Sequence, residues 1–239
     1  MRRRWGHYLY IHNDPSLQGR ALAQQNRVDV ALERAEELDQ GAGANLNVSW
    51  KLQTLRQDWL ARKQNAASLE TEAPQVAFEL DGRWLRSVGD LMQQIGYASN
   101  LALDSDSDTS YLVDMVLRKM PNLLERLNAA QTLEVELFSQ ALSRERKNQF
   151  LQYVGLIRSD LDLVDYNVKQ VLRHNEPVRS RLQPVTTALV DAAPIFAWNF
   201  EQKTIGQQGL PISRELLKAT GTRAVQEAIR TQDETFQMI

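Results

Sequence analysis

The chain has 239 residues, 43% of them hydrophobic and 24% charged, with a net charge of −2. That length suits one large domain or two modules of about 120 residues, and the near-neutral balance excludes the field expected of a nucleic-acid binder or of a protein held on an acidic membrane. Cysteine is absent, which excludes disulfides, thiolate nucleophiles and cysteine-based zinc sites, and no apolar run approaches the ~20 residues needed to span a bilayer.

Helix signals dominate from the start. Residues 1–15 read as a tether, with Trp5, Tyr8, Tyr10 and Ile11 before the turn-like Asn13-Asp14-Pro15. From Ser16 a helix runs to about Gln40, carrying Leu22, Val28, Leu32 and Leu38, and Gly41-Ala42-Gly43 is a stop or kink. Val48, Leu52, Leu55 and Trp59 follow at 4-3-4 spacing, which puts them on one helical face. After a polar joint at about Lys63 to Ala73, the stripe Leu85, Val88, Met92 and Ile95, widened by Trp84 and Leu91, predicts another helix, ended by Asn100 and the polar run Asp104 to Thr109. Tyr111, Leu112, Met115 and Val116 open the next helix, which passes Leu127 despite Pro121, a residue that normally kinks a helix because it lacks the amide donor.

The most regular stripe is Phe150, Val154, Ile157, Leu161, Val164, Val168 and Val171. Sustained heptad spacing means packing along a neighbour at a shallow angle, as in a bundle. His174-Asn175-Glu176-Pro177 reads as a turn, and a helix runs from about Val178 to Lys203. Gly206 and Gly209-Leu210-Pro211 form a further joint, and one or two helices meeting near Thr220-Gly221 close the chain. The expectation is an all-α, elongated bundle of about six helices, with two stacked four-helix modules that share long helices as one way to build it.

No pattern announces catalysis. Asp104, Asp106 and Asp108 invite a calcium loop, but the sixth and twelfth positions hold Thr109 and Met115 where that loop needs glycine and a bidentate glutamate. Capping of the following helix by Ser107 or Asp108 is the better account. His7, His12 and His174 have no partner at ligand spacing, and phosphate-binding and nucleophile-elbow motifs are missing. No catalytic residue, metal or cofactor is expected. Glu36 with Glu37 and Asp160 with Asp162 read as solvated pairs. Trp50, Trp59, Trp84 and Trp198 lie on predicted helices and read as core or as pocket wall; Trp198, followed by Asn199 and flanked by Phe196 and Phe200, is the best pocket candidate. Arg118 and Asp114 share the helix that leaves the acidic turn, where a buried arginine would suit a carboxylate ligand.

Around that turn, Asn100-Leu101-Ala102-Leu103-Asp104, then Asp108-Thr109-Ser110-Tyr111-Leu112-Val113-Asp114 and Met120-Pro121, resemble a segment of bacterial transmembrane receptors. It occurs in the helical extracytoplasmic regions of chemoreceptors, sensor histidine kinases and diguanylate cyclases. The likeness extends more weakly to the Trp50–Trp59 helix and to Thr222-Arg223-Ala224-Val225; Ser105 replaces a proline and Ser110 a tyrosine of the family pattern. Architecturally the chain is also similar to helical bimodular sensors that recognise small organic acids. The resemblance implies a periplasmic sensor domain over residues 16–239, tethered through residues 1–15 to a membrane segment outside the chain, with termini together at the membrane-proximal end. Absent cysteine suits that compartment. Implied too are a small-molecule ligand such as an organic acid, a homodimer in the full receptor, no nucleic acid, and membrane contact only through outside segments. The ligand-binding residues expected are Arg118, Tyr111, Asp114, Asn100, Trp198 and Asn199. The competing expectation is a helical protein–protein interaction or scaffold module with no small-molecule ligand.

Overall fold

The computed structural model of the chain describes residues 15–41, 43–64, 74–101, 107–139, 141–173, 175–206 and 212–239. All regular structure among them is helical. In chain order come α1 (Pro15–Gln40), a 3-10 turn (Ala44–Leu46), α2 (Ser49–Gln64) and α3 (Pro74–Ala98). Then follow α4 (Ser107–Asp114), a π turn (Met115–Lys119), α5 (Met120–Ser139), α6 (Arg144–Leu172), α7 (Glu176–Ile205) and α8 (Arg214–Phe236). Because α4, the π turn and α5 are continuous, the described residues make seven helices, where the sequence leads one to expect about six. None is long and apolar enough to cross a membrane. Residues 1–14 of the tether, Asp104, Asp106, the three histidines and Gly209-Leu210-Pro211 lie outside the described residues, whereas Pro15 opens α1.

The chain divides into two compact units, Met1–Asn100 and Leu101–Ile239. Each described helix belongs to one unit only, so long helices shared between modules are not found, and the first unit has three described helices rather than four. In that unit α2 packs against both α1 and α3. Its core is Leu32, Val48, Leu52, Leu55, Trp59 and Leu91, with Trp84, Val88 and Ile95 packed on it. The glycines after α1 end it: the Gly43 amide donates to the Leu38 carbonyl at 2.8 Å. A Cβ on Gly43 would sit 3.0 Å from that carbonyl oxygen and 3.1 Å from the Asp39 Cα, a tight fit that the backbone of α1 would have to relieve by a few tenths of an ångström.

The second unit is a ring of four helical rods. The α5 rod packs on α6 and α8, α6 on α7, and α7 on α8. Short connections at residues 140–143 and 173–175 make neighbours antiparallel. Every member of the heptad stripe on α6 is buried, as its spacing requires. The caps are those the sequence chemistry favours: Ser143, Asn175 and Ser213 each accept an amide of the first turn of α6, α7 and α8. Gly206, at φ 70°, stops α7. Pro184 and Pro194 sit inside α7. Both are exposed, as are Ser180 and Val190, whose carbonyls lose a donor, so those carbonyls face the outside of the ring.

Gly221 does not break the last helix. It is buried midway along α8, where a Cβ would lie 2.9 Å from Gln131 and Phe196 atoms; the glycine is there for close approach of α8 to α5 and α7. Pro121 is accommodated in another way. The Met120 amide reaches back five residues to the Met115 carbonyl, and this wider turn relieves the crowding that the proline ring would impose on the Leu117 carbonyl.

Candidate functional site

Within the second unit the residues expected to bind a ligand fall into two places, and Asn100 belongs to the first unit. Tyr111, Asp114 and Arg118 come together on the last turn of α4 and the π turn, facing α6. Asp114 is the hub. Its Oδ1 accepts from Arg118 Nε at 2.6 Å and its Oδ2 from Asn167 Nδ2 at 2.9 Å, and Lys119 Nζ lies 3.7 Å away. The same Asn167 amide donates to the Tyr111 carbonyl at 3.3 Å. The Tyr111 ring meets Tyr166 edge-on at 6.3 Å between centroids; hydrogen bonding to Tyr166 raises the Tyr111 phenol above its usual range.

Arg118 is not the buried arginine of the sequence reading. Its side chain is 52% exposed and its charge is met by Asp114 four residues earlier. A carboxylate from solution reaching it competes with Asp114 for the guanidinium. Asn100 lies in the other unit, exposed, with φ 60°. It occupies the left-handed conformation that asparagine tolerates at a helix end, its amide donating to the Tyr97 carbonyl at 3.1 Å. Its visible role is to terminate α3.

Trp198 and Asn199 diverge. Trp198 is 42% exposed on the outer face of α7, whereas Asn199 is buried and turns to Thr220 of α8 at 3.5 Å. They sit level with Gly221 and Gln131. Seventeen residues separate Gln131 from Asp114 along the α4–α5 rod, which at 1.5 Å per residue is roughly 25 Å. No single ligand of metabolite size touches both groups. Of the four helical tryptophans, Trp59 is buried, Trp84 is half-buried against it at 5.2 Å, and Trp50 and Trp198 are exposed, not core.

Asp160, which the sequence reads as solvated, and Glu134, which carries no reading there, are both buried. Asp160 forms an ion pair with Arg126 of α5. Burial raises its carboxyl above the usual range despite Arg126 and Lys119. Glu134, on α5, is 0% exposed. Neither of its oxygens has a hydrogen-bond partner among the described residues. Its closest ion-pair contact is Arg214 Nε of α8 at 3.9 Å. Burial pushes this carboxyl up to about 7, against the pull of Arg214 and Lys218. A signal for it exists in the sequence: Leu123, Leu127, Ala130, Glu134 and Leu137 keep 4-3-4-3 spacing, so a glutamate stands at a core position. Among the described residues no three histidine or acidic side chains converge as a metal site.

No protein-family model, curated protein or solved structure matches the chain.

Proposed function

We propose that the chain is the ligand-sensing input region of a bacterial transmembrane receptor, extracytoplasmic in the full protein and paired there with a second copy. The observation that carries this reading is the π turn at Met115–Lys119, set beside the polar cluster of Tyr111, Asp114, Arg118, Asn167 and Tyr166. A π turn holds one residue more than an α turn, and such insertions recur at functional sites. Moving the extra residue along the rod rotates the flanking side chains by about 100° relative to one another, one residue's share of a turn. A ligand that prefers one position of the insertion thus shifts helix packing by its difference in affinity for the two states.

The ligand class that fits is a small organic acid. Its carboxylate takes the Arg118 guanidinium in place of Asp114, and Lys119 supplies a second cation nearby. Thermal denaturation in the presence of organic acids, amino acids and polyamines tests this, because a ligand specific to the native state raises the melting temperature. The expected outcome is stabilisation by one organic acid and none by polyamines; no stabiliser in any class removes the reading.

A second reading, a protein-interaction module, has its own observation. Ile195, Trp198 and Ile205 are 51%, 42% and 40% exposed on α7, an outward apolar strip of the kind that docks another helix. It predicts that Trp198→Asp abolishes a protein association and leaves organic-acid stabilisation unchanged.

A further inference from the structure

Glu134 plays no part in the ligand site just described. Its carboxylate lies in the seam between α5 and α8, with 0% of the residue exposed and no described group donating to either oxygen. An ionised carboxylate in that position meets the full cost of desolvation, since nothing replaces the water it lost; the neutral acid carries far less of it. The charged groups facing it come from α8: Arg214, 3.9 Å away and half-exposed, Lys218, and the like-charged Glu215. Two cations that α6 and α7 bring near this end of α5 have other partners. Arg146 is held by both oxygens of Glu136 at 2.8 and 2.6 Å, and Lys203 Nζ sits 4.2 Å over the Phe138 ring.

We propose that Glu134 and the first turns of α8 form a proton-operated joint in the four-helix unit, closed when the carboxyl is neutral and loosened when it ionises. In the closed state the neutral side chain lets α8 seat flush on α5. As the pH rises the proton passes to solvent and the new charge seeks partners. Arg214 stands at the rim, and the positive end of the α8 dipole lies beside it. Closing the gap from 3.9 Å to a charge-assisted hydrogen bond of about 2.8 Å pulls the carboxylate outward and admits water to the seam. Further along α8 the seam is pinned where Gly221 meets Gln131 and Phe196, so the motion is confined to residues 214–220. Burial brings the Glu134 carboxyl to about 7, which puts the transition near neutrality. The joint works whether or not the organic-acid site is occupied.

The test compares the whole chain with Glu134→Gln, which keeps the shape and cannot ionise. The melting-temperature difference between the two should widen as the pH rises from 4.5 and level off above the folded-state midpoint near 7. Amide exchange over 214–220, corrected for the intrinsic rate, should become several-fold faster across that range in the parent chain and stay level in the variant. A difference constant with pH, or exchange in 214–220 that ignores the substitution, overturns the joint. Arg214→Gln gives a second handle should Glu134→Gln not fold: removing the lowering cation must move the midpoint upward, and an unmoved midpoint counts against the proposal. Neither readout uses a ligand, so failure of the joint leaves the sensing reading standing, and the reverse holds too.

Discussion

Two carboxylates, one in each unit, show how environment rather than residue type decides what an acidic side chain does. Asp29 on α1 is half-buried and fully engaged. It accepts from Trp59 Nε1 and from Lys63 Nζ, both at 2.6 Å. Burial pushes its carboxyl up, but the Lys63 and Trp59 hydrogen bonds and the charges of Lys63 and Arg56 outweigh that and hold it below the ordinary 3.8. Glu134 on α5 is more deeply buried and accepts no hydrogen bond from the described residues, so burial outweighs the charges of Arg214 and Lys218 and its carboxyl rises to about 7. Asp29 is charged and ties α1 to α2. Glu134 is neutral below about pH 7, and α8 packs over it.

The largest expected effect is the opposite pH response of the two groups. Glu134 ordinarily titrates at 4.5 and in the folded chain at about 7. The folded state therefore holds this proton more tightly, and its advantage is whole below 4.5 and lost as the pH rises through 7. A gap of this size corresponds to about 3 kcal/mol, read by urea unfolding of the second unit across that window. Asp29 runs the other way: its contribution is present above 3.8 and disappears as the pH falls through its lowered folded value. Stability with the same slope in both windows would break the comparison.

Next in size is the seam itself. A methyl group at Gly221 must displace Phe196 and Gln131 atoms at 2.9 Å, so Gly221→Ala should cost about 2 kcal/mol by overpacking. If it costs nothing, α5 and α8 are not held tightly enough to keep water from Glu134. In the first unit, Asp29→Asn removes charge-assisted bonds to Lys63 and Trp59 and should cost about 1–2 kcal/mol at neutral pH. The loss should vanish at a pH low enough to protonate the parent aspartate, which chemical denaturation at both pH values would establish.

Much of this arrangement is legible in the sequence, and the illegible part has a pattern. The heptad of Phe150 to Val171 gives α6 directly because each of those positions is apolar and buried. Thr220-Gly221 leaves one or two helices open because sequence alone does not distinguish a glycine that ends a helix from one that lets another helix approach. Pro121 signalled a kink but not its form; the π turn depends on where the Met120 amide finds an acceptor. Asp160 reads as solvated and Glu134 carries no reading at all, for a common reason. A charged residue reads as solvated until its neighbours are known, and those neighbours, Arg126 for one and the seam with α8 for the other, come from elsewhere in the chain. Tyr111, Asp114 and Arg118 could be grouped because helical spacing alone brings them together, while Trp198 could not be separated from them without the register of α7.

The smallest expected effect on stability belongs to Arg118, and that makes it the cleanest probe of sensing. Its pair with Asp114 is an exposed contact within a single helical rod, and pairs of this kind contribute about 0.5 kcal/mol or less. Arg118→Ala should therefore leave the unfolding midpoint nearly unchanged while abolishing the stabilisation by an organic acid. Asp114→Asn should act in the opposite direction on the ligand: it frees the guanidinium from its internal carboxylate and retains a group that Asn167 can still bond, so the same acid should stabilise at lower concentration. Opposite ligand responses from two substitutions on the same turn, at nearly equal stability, are difficult to produce by general loosening of the fold. Equal losses of response in both variants would instead mean that the Asp114–Arg118 pair only supports the π turn and does not hold the acid.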